Sequence, residues 1–220
     1  MKKLLVLLFS LILTVSVFGQ DRITIAHTNY TTTFSKTLHY PLKVEWWLTK
    51  QKVGCPNPLP RKDQFQSDPK AVSDTNLDAN YILANKLHKA KQLPTFDRGH
   101  MCPAAENECN GPAILTECFY FSNMTPQYHS LNAGDWKTLE VLERKLALGN
   151  DSIHIWAGSI GSVEKFGILN IPAKCWKVIY IKKTKEYQAY LFTNNTTNPV
   201  GLRAHKVDKS VIQKLTGFVF

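Results

Sequence analysis

The apolar positions of this chain fall into short runs separated by polar, glycine- and proline-bearing stretches, and the period within each run predicts its element. Leu42 to Leu48 (LKVEWWL) is rich in branched and aromatic residues and reads as a strand. Ser152 to Ala157, Trp176 to Ile181 and Gln188 to Phe192 read the same way, and the apolar, aromatic stretch Ile114 to Phe121 is expected as a further strand that stops at Ser122-Asn123. From Asn132 to Leu148 the period becomes helical, with Leu139, Leu142 and Leu146 spaced by three and four along one face, until Gly149-Asn150 ends it. Shorter helices are expected within Asn76 to Lys91 and at Ser210 to Leu215. Asp21 to Leu38, rich in Thr, Ser and Asn, reads as an extended lead-in, with the core beginning near Tyr40, and Gly54 to Lys70 reads as a polar loop. With no repeat and no low-complexity linker, the expected fold is α+β, one domain over residues 21–220 with a mainly antiparallel central sheet flanked by helices.

The start of the chain stands apart from that pattern. Met1-Lys2-Lys3 precedes an almost unbroken apolar run from Leu4 to Phe18, followed by small residues near Gly19, which is the composition of a signal peptide spanning residues 1–20. A membrane span needs about 20 apolar residues, and nothing downstream is long and apolar enough to cross a bilayer. The mature protein is therefore expected to be secreted or periplasmic, with no membrane contact. Loss of Lys2 and Lys3 takes the formal charge from +10 to +8. So basic a chain attracts polyanions by long-range steering.

Export permits disulfides among Cys55, Cys102, Cys109, Cys118 and Cys175, and the odd count leaves at least one thiol unpaired. Cys102 and Cys109 are near enough in sequence to close a small loop, yet connectivity does not follow from spacing. His100, Cys102, Cys109 and Cys118 also form a possible zinc set, although the paired CxxC knuckle of a structural zinc site is missing.

Chemistry concentrates in two stretches. In Phe96-Asp97-Arg98-Gly99-His100-Met101 an acid, a fixed cation and a titratable imidazole surround a glycine that lets the backbone turn sharply or approach a ligand closely. Phosphodiester cleavage needs a base near neutral pH and positive charge on the non-bridging oxygens, which His100 and Arg98 supply. The second stretch, Phe119 to Leu146, places Asn132, Trp136, Glu140 and Arg144 at every fourth position, a stripe apart from the leucine face. An amide oxygen and a carboxylate about two turns apart could hold a hydrated hard cation such as magnesium, which keeps most of its waters. Each residue also has a plainer reading. Asn132 suits a helix N-cap, Glu140 with Arg144 a surface pair, Asn123 a turn, Trp136 the core, and Asp97 a brace for its loop or for the helix.

The succession DRGH, SNMxPQ and LNxGxWxxLE resembles the DNA/RNA non-specific endonuclease family, the secreted sugar-non-specific nucleases of the ββα-metal (His-Me finger) superfamily. The resemblance runs from about Tyr40 to the C-terminus and takes in IPxKxWKV at Ile171 to Val178 and LTG at Leu215 to Gly217. It implies a ββα-metal catalytic motif in which His100 activates the attacking water and Asn132 ligates Mg2+ directly, with Mn2+ as a possible substitute. Glu140 acts on the metal through water, Asn123 holds His100 or the phosphate, and Arg98 stabilises the transition state. Gln127, Arg144 and Arg61 are implied near the substrate, with DNA and RNA as partners and 5′-phosphate ends as product.

Two other readings remain open: a basic secreted nucleic-acid-binding protein on an inactive nuclease fold, and an esterase or phosphatase acting on other phosphodiesters. The absence of GxSxG and HExxH gives serine hydrolases and zinc peptidases little support. Asn123-Met124-Thr125 and Asn195-Thr196-Thr197 are glycosylation sequons, the first of which would obstruct the site if used.

Overall fold

A computed structural model describes residues 21–71, 76–197 and 200–220, so the expected signal segment lies outside the described residues. Along the chain run β1 (Arg22–Ala26), β2 (Thr31–Ser35), β3 (Pro41–Thr49), β4 (Phe96–His100), β5 (Met124–Tyr128), β6 (Ser152–Ile160), β7 (Glu164–Phe166), β8 (Leu169–Ile171), β9 (Lys174–Ile181), β10 (Glu186–Thr193) and β11 (Lys206–Val207). The helices are α1 (Lys50–Val53), α2 (Leu77–Ala90), α3 (Pro112–Glu117), α4 (His129–Leu131), α5 (Lys137–Asn150) and α6 (Lys209–Thr216). Seven strands form one sheet in the order β1-β2-β3-β6-β9-β10-β11, and every neighbouring pair is antiparallel. The α+β expectation with a mainly antiparallel central sheet thus holds.

Alternation along the strands gives the sheet two apolar faces. Its inner face presents Trp46 and Leu48 of β3, Ile153 and Ile155 of β6, Ile179 of β9 and Phe192 of β10 to the helical side, where Trp136 and Leu139 meet them. On its outer face Trp156, Trp176, Val178 and Ala189 are covered by Ile212 of α6 and by Phe218 and Phe220. A second cluster joins Ile25 and Phe34 to Leu77 and Tyr81 of α2 and to Phe96 and Met124 of the β4–β5 pair. Among the described residues no helix is long and apolar enough to cross a membrane.

Three sequence expectations require correction. The lead-in Asp21 to Leu38 is a β-hairpin that joins the main sheet: its threonines suit a pleated, half-buried surface, and Ile25 and Phe34 are core residues. Ile114 to Phe121 is not a strand. Pro112 starts α3 at a position where its missing N–H costs nothing, and Leu115, Cys118 and Phe119 bury one side at helical spacing. Nor is Asn132 to Leu148 a single α-helix, because Asn132–Trp136 forms a wider turn kinked at Gly134 (φ −94°, ψ −118°) before α5 begins. Asn132 and Glu140 therefore do not lie on one unbroken helical stripe. Such widened turns often mark functional sites.

Candidate active site

Two strands and a kinked helical segment build the site. β4 and β5 pair antiparallel from Phe96 opposite Tyr128 to His100 opposite Met124, and the chain between them makes a long excursion through α3. Gly99 sits in the strand rather than in a turn. A Cβ there would fall 1.9 Å from Gln127 Oε1, so only glycine lets the Gln127 side chain lie across β4. Gln127 is fully buried beside the Cys175 thiol and is not among the residues that line the groove described below. Asn123, also fully buried, clamps the end of the excursion: its Oδ1 accepts from the Cys102 N–H at 2.9 Å, and its Nδ2 donates to the carbonyls of Cys102 at 2.9 Å and Cys118 at 2.8 Å. These bonds fix the backbone directly after His100 and keep Asn123 of the sequon out of solvent.

The helical segment is fastened to β4 at two points. Asn132 Nδ2 donates to Asp97 Oδ2 at 2.9 Å, and Trp136 Nε1 donates to the carbonyl of His100 at 3.1 Å. Because a carboxylate only accepts, the first bond orients the Asn132 amide with its oxygen away from Asp97. Asp97 also accepts from His129 Nδ1 at 2.8 Å, so the brace expected of it is made to the helical segment. Trp136 lies in the core, fully buried.

His100 is 7% exposed, packs edge-on against Phe119 with ring centroids 5.1 Å apart, and leaves Nε2 buried without a hydrogen-bond partner. Burial, aided by the Arg61 cation, pushes its pKa down to about 3, so the ring is neutral at physiological pH. Phe65, its ring centre 5.8 Å from that of His100, belongs to the wall of an open groove lined also by Arg61, Asn85, Lys89, Arg98 and Asn132. Arg98 pairs with Asp78 and lies between the Phe65 and Tyr81 rings, 5.3 and 5.1 Å from their centroids. Arg61 pairs with Asp63 at 2.6 Å. Most of Glu140 is buried, which pushes its carboxyl up to about 7 against the pull of Lys177, whose Nζ is 4.0 Å away. Arg144, half-buried near Glu140, has its Nη1 buried without a partner.

The structure thus gathers Arg61, Arg98 and Asn132 on one groove next to His100, sets Glu140 and Arg144 on α5, and puts Asn123 and Gln127 behind the strands. Sequence reasoning missed Lys89 and Asn85 of the groove wall, because α2 carries only a weak apolar pattern. It also missed Asp78, the partner of Arg98. The bridged cysteines are Cys55 and Cys109, 54 residues apart, while Cys102, Cys118 and Cys175 are free and buried. With Cys109 in a disulfide the zinc set is not assembled, and among the described residues no cluster of three or more His, Cys, Asp or Glu could hold a metal. A magnesium ion asks for less: hard oxygen donors, few of them from protein, as the Asn132 amide oxygen and the Glu140 carboxylate can offer.

A sequence-family model described as DNA/RNA non-specific endonuclease matches residues 11–220. The chain belongs to the DNA/RNA non-specific endonuclease family. It is 29% identical over 215 residues to Nuclease of Serratia marcescens, covering 91% of this chain and 76% of that protein. Identity to Nuclease C1 of Cunninghamella echinulata var. echinulata is 30% over 145 residues, covering 57% of this chain and 56% of the fungal protein. Human mitochondrial Endonuclease G is 24% identical over 143 residues, with 57% of this chain and 48% of that protein aligned, so the chain spans about half the length of these last two relatives. A structure titled "Crystal structure of the EndoG/EndoGI complex: Mechanism of EndoG inhibition" superposes with a TM-score of 0.76 at 20% identity, covering 90% of this chain and 84% of that one, and shares the fold. The non-specific endonucleases are hydrolases, which places the chemistry of this chain with phosphodiester cleavage.

Proposed function

We propose that this chain, secreted or held in the periplasm, is a divalent-metal-dependent endonuclease that hydrolyses DNA and RNA without sequence preference and leaves 5′-phosphate ends. The observation that carries the reading is the double fastening of the helical segment to β4, Asn132 to Asp97 and Trp136 to the His100 carbonyl, which supports reading the His100 imidazole and the Asn132 amide oxygen as parts of one site. β4, β5 and that segment are the elements we read as the ββα-metal motif.

Asn132 Oδ1 would hold the cation directly and Glu140 through water; magnesium, with manganese as substitute, supplies charge stabilisation and a proton source for the leaving oxygen. His100 Nε2, unpartnered and unprotonated, accepts the proton of the attacking water. A base held near 3 is weak in the free protein, but an anionic phosphate beside it favours the imidazolium and raises its affinity for that proton. Arg98 exchanges Asp78 for the phosphate and stabilises the charge that develops on it. Arg61 and Lys89 extend the positive wall along the groove, where phosphate contacts carry no sequence information.

Incubating the protein with a plasmid and with an RNA, with magnesium and with chelator, tests this. Cleavage of both in magnesium, suppressed by chelator and by salt through restored counterion competition, is expected. Intact substrates in magnesium would overturn the reading.

A further inference from the structure

Beneath the proposed cation site lies a buried charge cluster. Lys177, the second lysine of the IPxKxWKV segment, is fully buried on the inner face of β9. Its Nζ is 3.0 Å from Glu143 Oε2, 4.0 Å from Glu140 Oε1 and 4.5 Å from the centre of the Trp136 ring. Glu106, also fully buried, accepts from Trp46 Nε1 at 2.7 Å. It shares the cluster with the Glu143 carboxyl, and buried acids repelling one another around a single ammonium do not all ionise. Burial and the Glu143 charge hold Glu106 well above the usual carboxyl value, so Glu106 keeps its proton.

Burying an ammonium is costly unless it is paired, and Glu143 alone provides a pair. Besides the Trp46 ring of the core, 5.8 Å away, Lys177 has two contacts that lead to the site. One is Glu140 on α5. The other is Trp136, whose face meets the ammonium and whose edge donates to the His100 carbonyl.

We propose that Lys177 is a positioning residue for the nuclease reaction, its ammonium locking Glu140 and, through Trp136, the His100 backbone into one geometry. The inference rests on the function proposed above. It also assigns to the cluster a task that a merely structural ion pair would not have.

Lys177→Met alone strands two carboxylates and threatens folding, so the informative variant is Lys177→Met with Glu143→Gln. Here no unpaired carboxylate remains at position 143, and a neutral side chain of nearly the same shape stands near the protonated Glu106. Three measurements on wild type and double variant are compared: thermal unfolding, Mn2+ binding by calorimetry without nucleic acid, and kcat and KM on DNA. Positioning predicts an unfolding midpoint close to wild type, Mn2+ bound about 10–100-fold more weakly, kcat lowered by about the same factor at saturating metal, and KM unchanged. Wild-type Mn2+ affinity and kcat in the folded double variant would overturn the proposal, as would failure of that variant to fold, which would make the cluster structural. Should wild type bind Mn2+ yet cleave nothing, the nuclease reading falls, while the calorimetric difference still decides whether Lys177 shapes the cation site.

Discussion

The two faces of the central sheet solve opposite problems with the same strands. On the outer face, Trp47, His154, Tyr180 and Tyr187 stand at one register across β3, β6, β9 and β10. Trp47 stacks on His154 at 4.4 Å, Tyr180 meets Tyr187 at 4.8 Å, and Lys209 Nζ caps Tyr187 at 3.7 Å. Such cross-strand pairs each add about 0.2–1 kcal/mol and ask nothing of the rest of the molecule. The inner side, with the same alternation, buries Lys177 of β9 against Glu143 of α5, with Glu106 buried in the same cluster. Buried charges of that kind cost stability, so their concentration on one side separates the face that supports the fold from the face that supports a site.

Substitutions on either side sharpen the contrast. His100→Ala removes the proposed base and should lower kcat on DNA about a thousandfold, with thermal unfolding little changed; retention of more than a tenth of the rate would remove His100 from the chemistry. Ile212→Ala, on the side of α6 that packs against the outer face, should do the reverse, costing about 2–5 kcal/mol in denaturant unfolding while the folded fraction cleaves at the wild-type rate. Asp97→Ala frees the Asn132 amide to rotate and should weaken Mn2+ binding about 10–100-fold in calorimetry. Unaltered affinity there would mean that the Asn132 oxygen needs no brace.

The smallest effect concerns pH. Burial pushes His154 down to about 4, from an ordinary 6.5. A histidine kept neutral by the fold contributes stability that is present above 6.5 and is lost as pH falls through that value toward 4, because only the unfolded chain takes up the proton. His154→Phe should therefore lose less of its unfolding midpoint than wild type between pH 7 and pH 4.5. Parallel curves for the two proteins would show that His154 does not contribute to the acid slope.

Much of this architecture was legible from period alone. β3, β6, β9, β10 and α6 carry runs long enough, and branched or aromatic enough, to announce themselves. The β4–β5 pair did not, since FDRGH and MTPQY are short, polar and interrupted by Gly99 and Pro126, and their pairing spans an excursion whose geometry no local pattern encodes. The eight-residue apolar run around α3 suits a strand or a helix equally, and Pro112 at the helix start is what separates the two. At the site, the residue types and their order pointed to His100, Arg98, Asn132 and Glu140. What the sequence withheld were contacts: the Asp78 partner of Arg98, the Trp136 bond to the His100 carbonyl and the burial of Gln127, each a consequence of long-range packing.

The central claim is that the Asn132 oxygen and the His100 imidazole share one cation site, and anomalous scattering from crystals grown with Mn2+ tests it directly. The account predicts one strong peak within about 2.0–2.3 Å of Asn132 Oδ1, on the groove side of His100 and within reach of Glu140 through a single water. A peak coordinated elsewhere on the molecule, with Asn132 still bonded only to Asp97, would contradict it.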